Sequence, residues 1–289
     1  MKLTEIINNY ITNPYLVDTR GRFAHYPSEA SIISRLDGEI CGACHRKVWY
    51  DWMGEKSTNP IDARGQWTFA MGKMIEAGYI EYCKQLGIWA GNNVHFYDVI
   101  HNISGEADIF TWIDKIKGIK AGVEIKTAYG YGFQQSVSKF PKIENLLQTA
   151  LYLDYFPVAE WHLIYKARDT QEDVEYIITM EADDKGKFLC IDGQPCYIFY
   201  LHDIYNRYRS LGEYVINKQI PPRDYTYMYD LEQSRERFTR GKISKTRMAE
   251  VEKGKNTDSD WQCLYCGHLD RCWIEKRSQM KLKEVKVDE

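Results

Sequence analysis

Two acidic residues and one lysine with a spacing suited to catalysis lie in the segment GEADIFTWIDKIKGIKAGVEIK, residues 105–126. The segment predicts two β-strands joined by a turn, with Asp108 in the first and Glu124 and Lys126 in the second. Because side chains alternate between the faces of a strand, Glu124 and Lys126 lie on one face. Carboxylate oxygens bind Mg²⁺ or Mn²⁺, a bound divalent cation lowers the pKa of water, and a nearby ammonium stabilises developing negative charge. These three residues predict a site for metal-assisted hydrolysis.

An acid-x-lysine pair by itself is more often an exposed charge pattern on a strand. The chain repeats the pair at Asp183 and Lys185, in a turn-like stretch that has no preceding strand of the same kind. The catalytic interpretation therefore depends on other elements that could bring polar side chains to the same place.

Two predicted helices could do so. In the helix predicted over 64–87, Gly72 and Glu76 are one turn apart and share a face, so Glu76 faces the gap that a glycine leaves. In the helix predicted over 143–156, which ends before Pro157, Gln148 and Tyr152 are also four residues apart and can point at one spot.

A second chemical motif is the C-x2-C-x5-C spacing near the end of the sequence, formed by Cys263, Cys266 and Cys272. Two thiolates two residues apart can bind one centre, and a fourth ligand would come from Cys41 or Cys44. Four thiolates suit zinc or an iron–sulfur cluster, and spacing does not decide between them. Without a secretory signal, such cysteines indicate a metal centre rather than disulfides. His268, inside the five-residue spacer, is expected at the surface.

Composition limits the classes of partner. The 289 residues carry a net charge of −3, so there is no global basic signature of nucleic-acid binding, and any such contact must be local. Residues 234–255 are rich in lysine and arginine and read equally as a solvated surface or as an arm along a phosphate backbone. No apolar run is long enough for a membrane span and no signal peptide is evident, so a cytoplasmic protein without membrane contact is expected.

The elements that must position these residues predict an α/β fold. Strands are expected over 93–100, within 105–126, and over 159–168 and 173–181, with helices over 143–156 and 199–218. Together they predict a central mixed sheet flanked by helices. A short helix is expected over 28–36, and residues 130–140 are either a plain loop or a flexible rim that stacks on nucleotide bases.

The order of these motifs resembles the RecB-family branch of PD-(D/E)XK nucleases that carry an iron–sulfur cluster, which includes CRISPR-associated exonucleases of the Cas-four type and phage-encoded relatives. The matching residues, in chain order, are Cys44-His45-Arg46, Gly72 with Glu76, Gly105 to Asp108, Glu124 to Lys126, Gln148 with Tyr152, and Cys263, Cys266 and Cys272. Many family members have histidine at the position of Glu76, and a carboxylate there could shift the preference between Mn²⁺ and Mg²⁺.

The resemblance implies a role for each matching residue, within a restriction-endonuclease-like core stapled by the cluster. Lys126 would position or activate the attacking water, and Gln148 and Tyr152 would orient the active site or the DNA strand. The implied Mg²⁺ or Mn²⁺ ligands are Glu76, Asp108, Glu124 and the backbone carbonyl of Ile125. The implied ligands of a 4Fe-4S cluster are Cys44, Cys263, Cys266 and Cys272.

The resemblance also implies an organisation and an activity. Residues 1–289 would form a single nuclease domain, with an N-terminal helical cap (1–63) that carries the first cluster cysteine, a nuclease core (64–200) and a C-terminal helical segment (201–289) that closes the cluster. The activity would be metal-dependent exonucleolytic hydrolysis of DNA at single-stranded ends, in the 5′ to 3′ direction. The alternative is a non-catalytic nucleic-acid-binding subunit of a DNA-processing or CRISPR-adaptation complex. A homo-oligomer or a partner protein would be compatible with either.

Overall fold

The computed structural model describes residues 2–12 and 22–274. The chain divides into two compact units: the first combines residues 1–43 with 62–217, and the second combines 44–61 with the chain from 218 onward. These boundaries differ from the predicted single domain with a cap, a core and a closing segment. Cys44 in particular groups with C-terminal residues rather than with residues 1–43. Residues 13–21 of the predicted cap and 275–289 of the predicted closing segment lie outside the described residues.

The helices and strands are numbered in chain order. The helices are α1 (Leu3–Ile11), α2 (His45–Trp52), α3 (Ala63–Gln85), α4 (Gly130–Gly132), α5 (Ile143–Tyr155), α6 (Leu201–Ile216), α7 (Leu231–Thr239), α8 (Lys245–Glu252), α9 (Trp261–Leu264) and α10 (Leu269–Cys272). The strands are β1 (Ser31–Ile33), β2 (Ile40–Gly42), β3 (Trp89–Asp98), β4 (Ile103–Asp114), β5 (Ile119–Ala128), β6 (Glu160–Ala167), β7 (Asp173–Asp183), β8 (Gly186–Ile191) and β9 (Gln194–Cys196).

A seven-stranded sheet forms the centre of the first unit, with the strand order β3-β4-β5-β6-β7-β8-β9. Only β5 and β6 pair in parallel, and the other neighbours are antiparallel. A parallel pair needs a crossover connection, which α5 supplies between β5 and β6. The predicted α/β fold with a mixed sheet flanked by helices is therefore confirmed.

One face of helix α5 is deeply buried in the core of the first unit. Its residues Leu146, Leu147 and Leu151 are fully buried, and Trp161 and Leu163 of β6 are equally inaccessible. Each such side chain contributes about 1.5–3 kcal/mol relative to an exposed one, so this packing holds α5 firmly against the sheet. The polar residues that α5 carries are consequently fixed relative to β5.

Gly122 of β5 is required by the same packing. A Cβ atom at this position would lie 2.2 Å from ring atoms of Trp161, well inside van der Waals contact. The missing side chain lets the indole of Trp161 lie against β5 just before Glu124. The glycine thus shapes the strand that carries the two charged residues.

Helix α3 is different, because none of its 23 residues is buried. The predicted helix is confirmed, and Asp62 caps it by accepting a hydrogen bond from the Gly65 amide at 2.8 Å. Even Cys83, an apolar residue of α3, is only partly buried. The apolar spacing of α3 correctly indicated a helix, but no layer of the first unit covers those side chains completely.

Two local predictions were wrong. Residues 28–36 do not form a short helix; a 3₁₀ turn at Pro27–Glu29 leads into β1. Residues 130–140 are not a plain loop either, because α4 is followed by a π-helical turn at Phe133–Val137. Phe133 and Val137 are buried in the core, so these two side chains are not available to stack on nucleotide bases. Their four-residue spacing places both on the inward face of one turn.

The second unit contains α2 and α7 to α10. Its long irregular stretches are held by side-chain contacts; for example, Asp224 accepts a hydrogen bond from the His45 amide at 2.7 Å, at the start of α2. Within residues 2–12 and 22–274, no helix has both the length and the apolar character needed to cross a bilayer.

Candidate functional site

A chain of hydrogen bonds links β5, α5 and β4 in the first unit. The Lys126 ammonium donates to Oε1 of Gln148 at 3.0 Å, and the Gln148 amide donates to the Tyr152 hydroxyl at 2.9 Å. The Tyr152 hydroxyl in turn donates to the Glu106 carbonyl oxygen at 2.8 Å. The structure therefore brings together three of the predicted residues, because α5 presents Gln148 and Tyr152 on one face and packs tightly beside β5.

Glu124 lies at the start of this chain. Its Oε1 is 2.5 Å from the Lys126 ammonium, and the residue is only 2% exposed. Its other carboxylate oxygen, Oε2, is buried and has no hydrogen-bond donor among the described residues. Burying a charged oxygen without a partner is costly, so this atom is a strong candidate ligand for a cation.

Asp108 and Glu76 complete an acidic cluster around Glu124. Burial, followed by the negative charges of Glu124 and Glu76, raises the pKa of Asp108 to about 8. Burial also raises the pKa of Glu76, with further contributions from Glu124 and Glu106. Each shift requires that the carboxylates lie within electrostatic reach of one another, so α3, β4 and β5 bring all three predicted acids to one place.

The same acidic cluster affects the pKa of Lys126. Burial opposes its protonated form, but the attraction of Glu124, Asp108 and Glu76 outweighs burial and raises the pKa of Lys126. Lys126 therefore stays an ammonium at neutral pH. It can neutralise only one of the three acids, and the raised pKa values of Asp108 and Glu76 show that further negative charge is unfavourable there without another cation.

The composition of this cluster fits a hard divalent cation. Three carboxylates that repel one another, one with an unpartnered buried oxygen, are relieved by a bound Mg²⁺ or Mn²⁺. In their present positions, no three acidic, histidine or cysteine side chains of the described chain are arranged to hold a metal ion. Ile125, whose carbonyl is predicted as a further ligand, lies between Glu124 and Lys126 in β5, and its role stays a prediction.

The second unit contains a cluster of thiols. Four cysteines line one small cavity, and no disulfide joins any of them: Cys44, Cys263, Cys266 and Cys272. Burial, with a contribution from the Asp224 charge, raises the pKa of Cys44 to about 11. Burial raises the pKa of Cys263 to about 12, and the neighbouring Cys44 adds to that shift. Four clustered thiols with no disulfide suit the thiolate-bound centre that the spacing predicts.

The structure separates the two candidates for the first thiol ligand. Cys41 lies in β2 and packs against the hydrophobic core of the first unit, whereas Cys44 caps the start of α2 and lines the thiol cavity. His268, expected at the surface, is instead 3% exposed, with Nε2 2.8 Å from Oδ1 of Asp51. The spacer folds into the turn that begins α10, and this turn carries the imidazole inward.

Positive groups surround the thiol cavity. A guanidinium nitrogen of Arg46 lies 4.0 Å from the sulfur of Cys272, and its Nε donates to the Pro221 carbonyl at 2.8 Å. Burial raises the pKa of Cys266, but the Lys47 charge and the amide of His268 act in the opposite direction. The amide donor and the cation favour the thiolate form of Cys266, as a metal centre requires, but they only partly offset burial.

Sequence reasoning missed some residues that belong to these sites. Glu106 provides the carbonyl for Tyr152 and adds to the field at Glu76. Its position two residues before Asp108 on one strand was a signal, because alternate residues share a face. Asp51 and Asp224, which flank the thiol cluster, had no comparable signal in local spacing.

No family model matches this chain, and no curated protein matches it either. Among solved structures, the chain is similar to the crystal structure of SSO0001, with 17% identity and a TM-score of 0.43. The alignment covers 77% of this chain and 89% of the other. A likeness at this TM-score carries no argument about function.

Proposed function

We propose that this protein is a metal-dependent deoxyribonuclease with a PD-(D/E)XK core that digests DNA from single-stranded ends. The observation that carries the proposal is the position of Glu124, buried beside Asp108 and Glu76 and held by the Lys126 end of a hydrogen-bonded chain. Acids with raised pKa values that gather around one buried carboxylate are common at active sites, so the cluster is a better candidate for catalysis than for stability.

Each residue of the acidic cluster has a separate role in the proposed hydrolysis. A divalent cation held by Glu76, Asp108, Glu124 and the Ile125 carbonyl would lower the pKa of the attacking water and offset charge on the phosphate. Lys126, kept protonated by the cluster and oriented by Gln148, can donate a hydrogen bond to a phosphate oxygen as negative charge develops there. Water forms the new P–O bond while the bond to the leaving oxygen breaks, and that oxygen takes a proton.

A preference for single strands is supported by α3. Phe69 is 56% exposed and lies two helical turns before Glu76, on the same face, with Lys73 exposed one turn from Glu76. An exposed aromatic ring can stack on an unpaired base, and a lysine can bind the adjoining phosphate. Bases of a duplex are already stacked on one another and cannot use Phe69 in this way.

For the thiol cavity we propose a 4Fe-4S cluster held by the four cysteines that line it. When bound, the cluster would act as a covalent staple between α2 and the α9–α10 segment. Zinc is the alternative, since four thiolates suit both. Iron and acid-labile sulfide in anaerobically purified protein would support the cluster, and one zinc per chain without iron would replace it with the zinc alternative.

The nuclease proposal is tested with labelled single-stranded DNA and Mn²⁺, comparing wild type with Asp108→Ala and Lys126→Ala. Loss of digestion in both variants, with full activity in Glu213→Gln as the exposed acidic control, is the expected result. Equal digestion by all four proteins would indicate a contaminating nuclease and reject the proposal. Comparing 5′-labelled with 3′-labelled substrate tests the expected 5′ to 3′ direction. DNA binding without digestion by wild type would instead favour a non-catalytic binding subunit.

A further inference from the structure

The α7–α8 segment of the second unit has a charge opposite to that of the whole chain. Residues 231–255 contain eight lysines and arginines and four acidic residues, a local charge of +4 in a chain of net charge −3. The mechanism proposed for the acidic cluster uses none of these cations. The structure shows which of them are part of the internal packing and which are available to a ligand.

Two arginines of the segment are internal anchors. Arg237 lies 2.7 Å from Asp258 and 3.2 Å from Asp260, and its guanidinium stacks 4.0 Å from the Tyr229 ring centre. Arg247 donates to the Thr257 carbonyl at 2.6 Å. These two arginines tie α7 and α8 to residues 257–260, so they serve the fold of the unit.

Four other cations face solvent. Arg240, Lys245, Lys253 and Lys255 are all exposed, and none has an ion pair with a carboxylate within the part of the chain that the structure describes. Helix electrostatics accounts for two of them, because Arg240 and Lys253 are the C-caps of α7 and α8, where the helix dipole favours positive charge.

The helix dipole does not explain the charge of Lys245. It is the first residue of α8, directly after the Ser244 cap, where the helix dipole disfavours a cation. Lys255, two residues beyond the Lys253 C-cap of α8, is exposed and its side chain forms no ion pair within the described residues. Neither the helix dipole nor an ion pair accounts for Lys245, whereas an external polyanion would.

We propose that the exposed lysines of α7–α8 form a phosphate-binding surface for a nucleic-acid strand, additional to the hydrolytic site. Flexible lysines bind phosphates as point charges and read no base sequence, so the surface would increase affinity without adding sequence specificity. The internal anchors Arg237 and Arg247 hold the two helices that present these lysines. The choice of a nucleic acid as the polyanion rests on the proposed function, whereas the exposed lysines themselves are independent of it.

Salt dependence of binding tests this directly, because each phosphate contact releases counterions. Binding of fluorescent oligothymidylate is measured by anisotropy with the full-length protein, in a chelator that prevents hydrolysis, over a range of salt concentrations. The variant is Lys245→Gln/Lys253→Gln/Lys255→Gln. The matched control, Lys115→Gln/Lys117→Gln/Lys185→Gln, removes the same charge from exposed lysines of the first unit.

Each lost contact to single-stranded DNA lowers the magnitude of the slope of log K against log salt by about 0.7. We therefore expect the magnitude to fall by about 2 in the triple variant and to stay unchanged in the control. Circular dichroism should show that both variants are folded. Equal slopes for variant, control and wild type would overturn the proposal, as would equal losses in variant and control, which would reflect net charge alone. Loss of binding to anionic vesicles or polyglutamate without loss of DNA binding would also overturn it.

The outcome is separable from that of the nuclease proposal. If wild type binds DNA with the expected slope but digests nothing, the nuclease proposal fails and the surface stands. If the variant digests DNA normally and keeps the wild-type slope, the nuclease proposal stands and the surface fails.

Discussion

The ammonium of Lys126 lies 2.5 Å from the carboxylate of Glu124, and only Ile125 separates the two residues on β5. The Glu124 side chain is nearly inaccessible, and that of Lys126 is about one quarter exposed. The two opposite charges hold each other in place. The ammonium of Lys126 also donates a hydrogen bond to Gln148, which fixes the orientation of the lysine side chain.

Removal of the lysine charge should destabilise the fold as well as stop hydrolysis. Lys126→Met leaves Glu124 buried without its counter-charge, which costs about 3 kcal/mol of unfolding free energy. The double variant Glu124→Gln/Lys126→Met removes both charges and should recover most of that loss. Urea unfolding measures the free energy of unfolding of wild type, the single variant and the double variant. Equal stabilities of the single and double variants would show that the pair is not coupled.

Tyr152 should act as a positioning residue for Lys126 rather than contact the substrate. Tyr152→Phe removes the hydroxyl between Gln148 and the Glu106 carbonyl, so we expect kcat to fall about tenfold with little change in KM. Tyr176→Phe is a matched control, because its hydroxyl donates to the Val137 carbonyl at 2.7 Å. Both should lose about 1 kcal/mol of stability, and only Tyr152→Phe should lose activity. Parallel activity losses would assign both effects to folding.

The two candidate thiol ligands should separate cleanly. Cys44→Ser removes a thiol from the cavity shared with Cys263, Cys266 and Cys272, so the purified protein should lose its iron or zinc. Cys41→Ser alters a residue that packs against the core of the first unit and should keep a full complement of metal. Elemental analysis per chain measures both. Metal loss in Cys41→Ser alone would reverse the assignment of the ligand.

His25 should make the stability of the protein depend on pH. Burial, helped by the Arg22 charge, lowers the pKa of His25 to about 4, and its ring stacks on Tyr208 at 4.7 Å. The unfolded chain takes up a proton near pH 6.5 and the folded chain does not. Stability is therefore complete above pH 6.5 and falls as the pH drops towards 4, by up to about 1.4 kcal/mol per pH unit.

Substitution of the ring tests that dependence. Urea unfolding of wild type and His25→Gln between pH 4 and 7 should show a steeper loss on acidification for wild type, whatever the stability of the variant at neutral pH. A slope in His25→Gln equal to that of wild type would assign the acid sensitivity to other groups.

Local spacing was enough to predict much of this protein. The strands around Asp108 and Glu124, helices α3 and α5, and the shared face of Gln148 and Tyr152 all follow from periodicities of two and 3.6 residues. The C-x2-C-x5-C spacing identified three of the four cysteines at the thiol cavity. These features depend on residues close together in the chain, and local geometry determines them.

Only the tertiary structure decided the rest. It placed Lys126 against Gln148, put Cys44 and not Cys41 at the thiol cavity, buried His268 against Asp51, and divided the α7–α8 cations into internal anchors and exposed charges. It also left α3 without a buried side chain, despite its apolar spacing. Each of these depends on which distant segments pack together, and a spacing pattern carries no information about the partner that an element will meet.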